Sequence, residues 1–175
     1  TKSYSDATPS VTYTYDAPGI QFGLKRVATV TAGPFESRIQ AYDAGGRVSE
    51  FRQVAGAQVF DSSYSFNLAG APLSLAYPSG RVVSYQYDAA GRLSGVSGAR
   101  PSGAPEVYVD PGSIEYAPHG AVTGWTLGNG VHESTSFNER LQPLSYSFQR
   151  SGQLLGINYS YGSAGSNNGN IRSQQ

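Results

Sequence analysis

The feature that most constrains this chain is its self-similarity: a short pattern of aromatic residues, Asp, Gly and Arg returns about seven times along 175 residues. Internal repetition at a period of a few tens of residues is the signature of arrays in which neighbouring units share one core. The clearest copy is Tyr85-Gln86-Tyr87-Asp88-Ala89-Ala90-Gly91-Arg92-Leu93, followed by Val96 and Gly98. A second is Ala41-Tyr42-Asp43-Ala44-Gly45-Gly46-Arg47-Val48. A third opens as Tyr13-Thr14-Tyr15-Asp16-Ala17-Pro18-Gly19, and an insertion through Phe22 and Gly23 delays its Arg26-Val27. Weaker copies begin at Tyr64, Ile114 and Phe137, the last leading into Arg140-Leu141, and a seventh starts at Tyr159. The Asp-equivalent positions are 16, 43, 67, 88, 117, 138 and 162, so the spacing varies between 21 and 29 residues. A constant turn with hairpins of differing length accounts for that variation.

Each half of the unit has a physical reading. Tyr-x-Tyr alternates at period two, which places both rings on one face of a strand. Asp-x-x-Gly supplies a turn, because the carboxylate accepts backbone N–H groups nearby and Gly tolerates positive φ. Tyr13, Tyr15, Tyr42, Tyr85 and Tyr87 are therefore the packing rings. Asp16, Asp43 and Asp88, with Gly19, Gly46 and Gly91, are the turn formers, and Arg47, Arg92 and Leu93 open the return strands. Further turns close the units at Ala32-Gly33-Pro34, Pro78-Ser79-Gly80 and Gly128-Asn129-Gly130. An isolated hairpin is marginal in water, so these units are expected to pair side by side into a continuous, curved antiparallel sheet.

Composition agrees. Thirteen Tyr, seven Phe and 22 Gly beside 14% charged residues favour strands and turns, and Gly or Pro interrupts nearly every window long enough for a helix. One array over 1–175 is expected, with repeats over 13–171 and a Gly-, Ser- and Asn-rich tail over 162–175. Twelve basic residues balance 12 acidic ones, which argues against nucleic acid as a partner, and no apolar run is long enough for membrane insertion as a helix. There is no Cys, hence no disulfide and no thiolate chemistry. The absence of Met and of a leader suggests a processed product or an excised fragment.

The pattern Tyr-x-Tyr-Asp-x-x-Gly-Arg-Leu with a trailing Val and Gly resembles the YD repeat of Rhs, insecticidal-toxin-complex and teneurin proteins. The resemblance implies a strip of hairpins that spirals into part of a hollow shell, around a toxin in bacterial members or as an adhesive ectodomain in animal ones. It also implies a secreted, extracellular or cell-surface location. Adjacent repeat segments would be partners, with a toxin as cargo. Pro105 to Asp110-Pro111-Gly112 resembles the first half of the aspartyl self-cleavage region of bacterial shells, but Ser113-Ile114 departs from the second half. We read Asp110-Pro111 as a turn joining two hairpins.

Other chemistry has weak support. His119 and His132 lack the spacing of a metal site, and His132-Glu133-Ser134 are strand neighbours whose side chains alternate between faces and form no triad. Each repeat offers one Asp where calcium needs several oxygens. The Gly162-Ser163-Ala164-Gly165 run has no phosphate-loop lysine. Arg26, Arg47, Arg92 and Arg140 are read as partners of the turn acids. No catalytic residue and no cofactor or metal is expected: the chain reads as a structural protein and not an enzyme. Two rival readings are a filament of identical subunits joined through open sheet edges and an adhesion module binding glycans, with Trp125, the sole indole, as the ligand contact.

Overall fold

In the computed structural model, which describes residues 1–163 and 165–175, the chain is all-β: fifteen strands pair antiparallel and no helix occurs among the described residues. Ala164, inside the tail 162–175, lies outside the described residues. The chain divides into two compact units, the first comprising Thr1–Ser84 with Arg100–Gly103 and the second Tyr85–Ala99 with Ala104–Gln175.

In the first unit β1 (Val11–Tyr15), β2 (Val27–Ala32), β3 (Phe35–Tyr42), β4 (Val48–Ala55), β5 (Gln58–Phe66), β6 (Pro72–Ala76) and the start of β7 (Val82–Tyr87) pair in chain order. Every connection is therefore a hairpin. Beyond β1 there is only an isolated bridge, in which Lys2 and Val11 exchange backbone bonds of 2.7 and 2.8 Å.

The second unit holds the end of β7, then β8 (Leu93–Ala99), β9 (Glu106–Val109), β10 (Glu115–Tyr116), β11 (Val122–Thr126), β12 (His132–Phe137), β13 (Pro143–Gln149), β14 (Gln153–Ser160) and β15 (Ser173–Gln174). Asp110 to Ser113 form the turn read from sequence: the Ser113 N–H closes it on the Asp110 carbonyl at 3.1 Å, Gly112 takes φ 76°, and it joins the β8–β9 hairpin to the β10–β11 hairpin. Its two flanks both lie along β11: Val109 bridges Leu127, and Glu115 and Tyr116 pair with Gly124 and Val122. The Gly112 N–H also bonds the Ser94 carbonyl of β8. The Ser113 hydroxyl fills the broken ladder by accepting from the Thr126 N–H at 3.1 Å and donating to the Asp110 carbonyl at 2.8 Å.

One turn geometry recurs at both ends of the hairpins. In Asp43–Arg47 the Asp43 N–H donates to the Arg47 carbonyl, the Gly46 N–H donates back to the Asp43 carbonyl, and Gly46 has φ 80°. The same pair of bonds closes the turns that start at Asn67, Tyr77, Asp88, Ala117, Leu127 and Asn138. This is the three-residue hairpin turn with a left-handed residue at its fourth position, which shifts the register by one. The shift falls at the aromatic residue before the turn, at Tyr42, Phe66, Tyr116 and Phe137.

Two copies depart from expectation. In the copy at Phe137, Leu141 itself occupies the glycine position with φ 61°, and Gln142 stands where Arg is usual. The Arg140-Leu141 pair is therefore one place out of register with Arg-Leu elsewhere. In the first copy Asp16 and Gly19 do not close a tight turn: Asp16 takes φ 55°, and its N–H pairs with the Arg26 carbonyl across a long loop. The insertion moves the closing residue from the fifth position to Arg26, and the Asp16 carboxylate caps the Lys25 N–H instead.

The buried apolar side chains are few: Ala28, Ile39, Ala41, Tyr42, Val83 and Tyr161. With so few buried side chains, backbone ladders and contacts between neighbouring hairpins must hold the strands of each unit.

Candidate functional site

The repeat places the same residue types at the same turn, and within each unit side chains of one turn reach the next in a ladder of contacts. Arg26 donates from Nη1 to the Gly46 carbonyl of the next copy at 2.8 Å, and its guanidinium lies over the Tyr42 ring, 5.2 Å from the centroid. Arg47 donates from Nη1 to the Asn67 carbonyl at 3.0 Å and lies 4.7 Å from the centroid of Phe66. Arg92 lies 4.6 Å from the centroid of Tyr116. The turn arginine of each of these copies thus covers the aromatic residue that precedes the next turn.

The aromatic residue answers with its hydroxyl. Tyr42 donates to the Val27 carbonyl at 2.7 Å, Tyr116 to Leu93 at 2.8 Å and Tyr161 to Pro143 at 3.0 Å. Val27 and Leu93 each follow the turn arginine of the preceding copy, and Pro143 holds the same place after Gln142. A half-buried cation–π contact of this kind stabilises by about 0.5–2 kcal/mol and the hydrogen bond by about 1 kcal/mol. Repetition makes the sum considerable. Burial pushes the Tyr87 phenol up from its ordinary value, with the neighbouring Tyr85 adding to the shift.

The turn acids hold the arginines in position. Asp43 Oδ1 accepts the Arg47 N–H at 2.9 Å and Oδ2 accepts Arg47 Nε at 2.6 Å. Asp88 does the same for Arg92, at 2.9 and 2.8 Å, and also accepts the Ala90 N–H. The Arg47 backbone N–H, followed by its guanidinium, holds the Asp43 carboxyl below its ordinary value, and Arg92 acts likewise on Asp88. The local pairing read from sequence is present for Arg47 and Arg92. Arg26 reaches Gly46 instead, and Arg140, whose turn carries Asn138 in place of an acid, donates from its guanidinium to the Asn167 carbonyl at 2.7 Å.

Sequence reasoning missed the reach of each arginine into the next copy. The available signal was the joint recurrence of Arg with the aromatic residue before the following turn. It also missed His119, which in a copy with Ala121 at the arginine position packs edge-on against Phe137, with ring centroids 5.1 Å apart.

The remaining candidates lie apart. Trp125, in β11, donates its indole N–H at 2.8 Å to Glu133, its cross-strand neighbour on β12. His132 pairs with the Thr126 hydroxyl at 3.2 Å, on the other face from Glu133. No group of three His, Cys, Asp or Glu residues able to hold a metal occurs among the described residues. A shallow cavity of about 390 Å³ is lined by Asn138, Arg140, Leu144, Tyr159, Tyr161 and Asn167, several of which already serve the ladder.

Comparison with known proteins agrees with this geometry. Residues 66–102 match the family model of the RHS repeat. Among solved structures, the crystal structure of TcdB2-TccC3 superposes with a TM-score of 0.84 at 16% identity, over 96% of this chain and 9% of that one. A Photorhabdus luminescens Tc holotoxin pore with a substituted TccC3 gives a TM-score of 0.82 at 15% identity, over 94% and 9% respectively. No curated protein matches the sequence significantly. The chain is an array of β-hairpins, one stretch of which matches the RHS repeat. It has the fold of a segment of TcdB2-TccC3, and it spans about one tenth of the length of those structural relatives.

Proposed function

We propose that this chain is a non-catalytic wall segment of a secreted or cell-surface bacterial Rhs-type protein, contributing to a β-shell that encloses or delivers a toxin. The observation that carries the reading is the ladder. The repeated Asp, Arg and Tyr side chains, which are the chain's densest polar chemistry, spend their hydrogen bonds on turns and on neighbouring hairpins. Such an arrangement suits a residue set selected to hold a sheet together. The fold shared with segments of TcdB2-TccC3 and of the Photorhabdus luminescens Tc holotoxin supports the same reading.

Light scattering of the purified chain over a wide concentration range, followed by negative-stain microscopy, tests it. A passive wall segment stays monodisperse, without ordered polymers. Regular filaments growing with concentration would overturn the wall reading and establish head-to-tail assembly through sheet edges as the function.

A further inference from the structure

Two turns far apart in the chain carry the same three residues. Pro78-Ser79-Gly80 closes with the Gly80 N–H on the Tyr77 carbonyl at 2.8 Å, and Pro101-Ser102-Gly103 closes with the Gly103 N–H on the Arg100 carbonyl at 3.3 Å. Both turns belong to the first compact unit, and they pack against each other. A Cβ at Gly80 would stand 2.5 Å from Cγ of Pro101, so this approach requires glycine.

Each turn brings an arginine to the junction, Arg81 directly after the first and Arg100 at the head of the second. Ser79, Arg81, Arg100, Pro101 and Ser102 line a cavity of about 500 Å³ there, with Arg81 half-buried and the other four exposed. Arg81 holds the fifth place of its turn, as Arg47 and Arg92 do, but Tyr77 stands where Asp43 and Asp88 grip those arginines. The turn itself therefore puts no carboxylate against Arg81. Ser79 Oγ accepts the Arg81 N–H at 3.5 Å, which leaves the hydroxyl proton to be donated outward. Each guanidinium carries several N–H donors, so one group can hold protein and ligand together.

We propose that the paired Pro-Ser-Gly turns form a binding site for a tetrahedral oxyanion, the phosphate or sulfate group of a small ester. Arg81 and Arg100 hold the anion, and the Ser79 and Ser102 hydroxyls are further donors. The donor set selects the ligand. Two planar guanidinium forks can each take a pair of oxygens from a tetrahedral group and leave oxygen lone pairs for hydroxyls, whereas a carboxylate is filled by one fork. The site goes beyond the wall reading and does not depend on it.

The test titrates inorganic phosphate and inorganic sulfate against the full chain at constant ionic strength, with acetate and chloride as controls. Backbone amides and arginine Nε–H groups are followed by NMR. Saturable shifts confined to 77–81 and 100–103 are expected, with a dissociation constant of about 1 mM. Arg81→Gln and Arg100→Gln should each weaken binding about tenfold, and Ser102→Ala about threefold. Arg100→Lys should restore only part of the loss, because a point charge lacks the planar fork. Arg100 and Ser102 are exposed at a turn, so their variants fold as the parent does, which unchanged shifts elsewhere would verify.

Glycerol phosphate and phosphatidic acid vesicles then separate the two sources of such a group. Binding of glycerol phosphate at least as tight as that of inorganic phosphate is the expected result. Binding to the vesicles alone would overturn the assignment to a small ester. Shifts that do not saturate, an equal response to acetate, or undiminished binding by both glutamine variants would overturn the site itself.

Discussion

The turn at Asp43–Arg47 and the turn at Asn138–Gln142 have the same backbone and almost opposite chemistry. Both close with the same two backbone bonds, and both put positive φ at the fourth residue. The first does so with Gly46, a carboxylate that caps the turn and grips an arginine, and a guanidinium that reaches the next hairpin. The second uses Leu141 in a conformation that costs a side-chain-bearing residue about 1–2 kcal/mol. Its Asn138 caps the Arg140 and Gln142 N–H groups, and Arg140 and Gln142 take over the longer contacts with Asn167. The comparison teaches that the hairpin needs the geometry of the turn, while the letters of the motif add strength and wiring to it.

The largest effect that separates the two turns is expected from Gly46→Val. A Cβ there would stand 2.1 Å from Arg26 Nη2 at φ 80°, so the change strains the turn and displaces Arg26 from its contacts with Gly46 and Tyr42. A loss of about 2–3 kcal/mol in urea unfolding is expected. A loss no greater than that of an exposed strand substitution would show that the ladder at Tyr42 does not depend on the turn.

Leu141→Gly should move the other way. The side chain is half exposed and leaves little packing behind, so relief of its backbone is expected to stabilise by about 1 kcal/mol. A destabilised variant would mean that Leu141 contributes contacts that outweigh its conformation.

Tyr42→Phe keeps the ring beneath Arg26 and removes only the bond to the Val27 carbonyl. A loss of about 1 kcal/mol is expected at this buried site. The same change at the exposed Tyr15 should leave stability unaltered, and a comparable loss at both would show that the hydroxyl bond at Tyr42 is not what separates them.

The smallest difference should appear on acidification. Hydrogen bonds from the Arg47 backbone and side chain lower the Asp43 carboxyl from its ordinary 3.8. A depressed folded value means that this contribution is complete above that pH and is lost as pH falls through the lowered folded value. Asn138 has nothing to titrate. In an NMR titration from pH 6 to pH 2 the amide of Arg47 should shift, with a midpoint below 3.8, while that of Gln142 stays in place. Equal movement of both would indicate general unfolding instead of local release.

Much of the array was legible before any coordinates. Tyr85 to Leu93 announces a strand, a turn and a return strand, because period-two aromatics and Asp-x-x-Gly have direct conformational meaning. The turns at Pro78-Ser79-Gly80 and Gly128-Asn129-Gly130 were legible for the same reason. Leu141 was not, since nothing in leucine's chemistry marks it for positive φ, and the neighbouring Arg140 lent the segment a false likeness to Arg-Leu. The turn at Asp110-Pro111 was legible from its residue types, whereas the pairing of both its flanks along β11 was not, because that depends on strand register.

The sequence alone determined the local alternation of strand and turn, since side-chain period, carboxylate capping and glycine conformation act over a few residues. Only the tertiary structure decided which turn each arginine reaches and which carbonyl each tyrosine meets. Those partners stand 15 to 27 residues apart, as with Tyr42 and Val27 or Arg140 and Asn167. Their meeting depends on the lengths of the intervening hairpins and on strand register, which no single residue encodes.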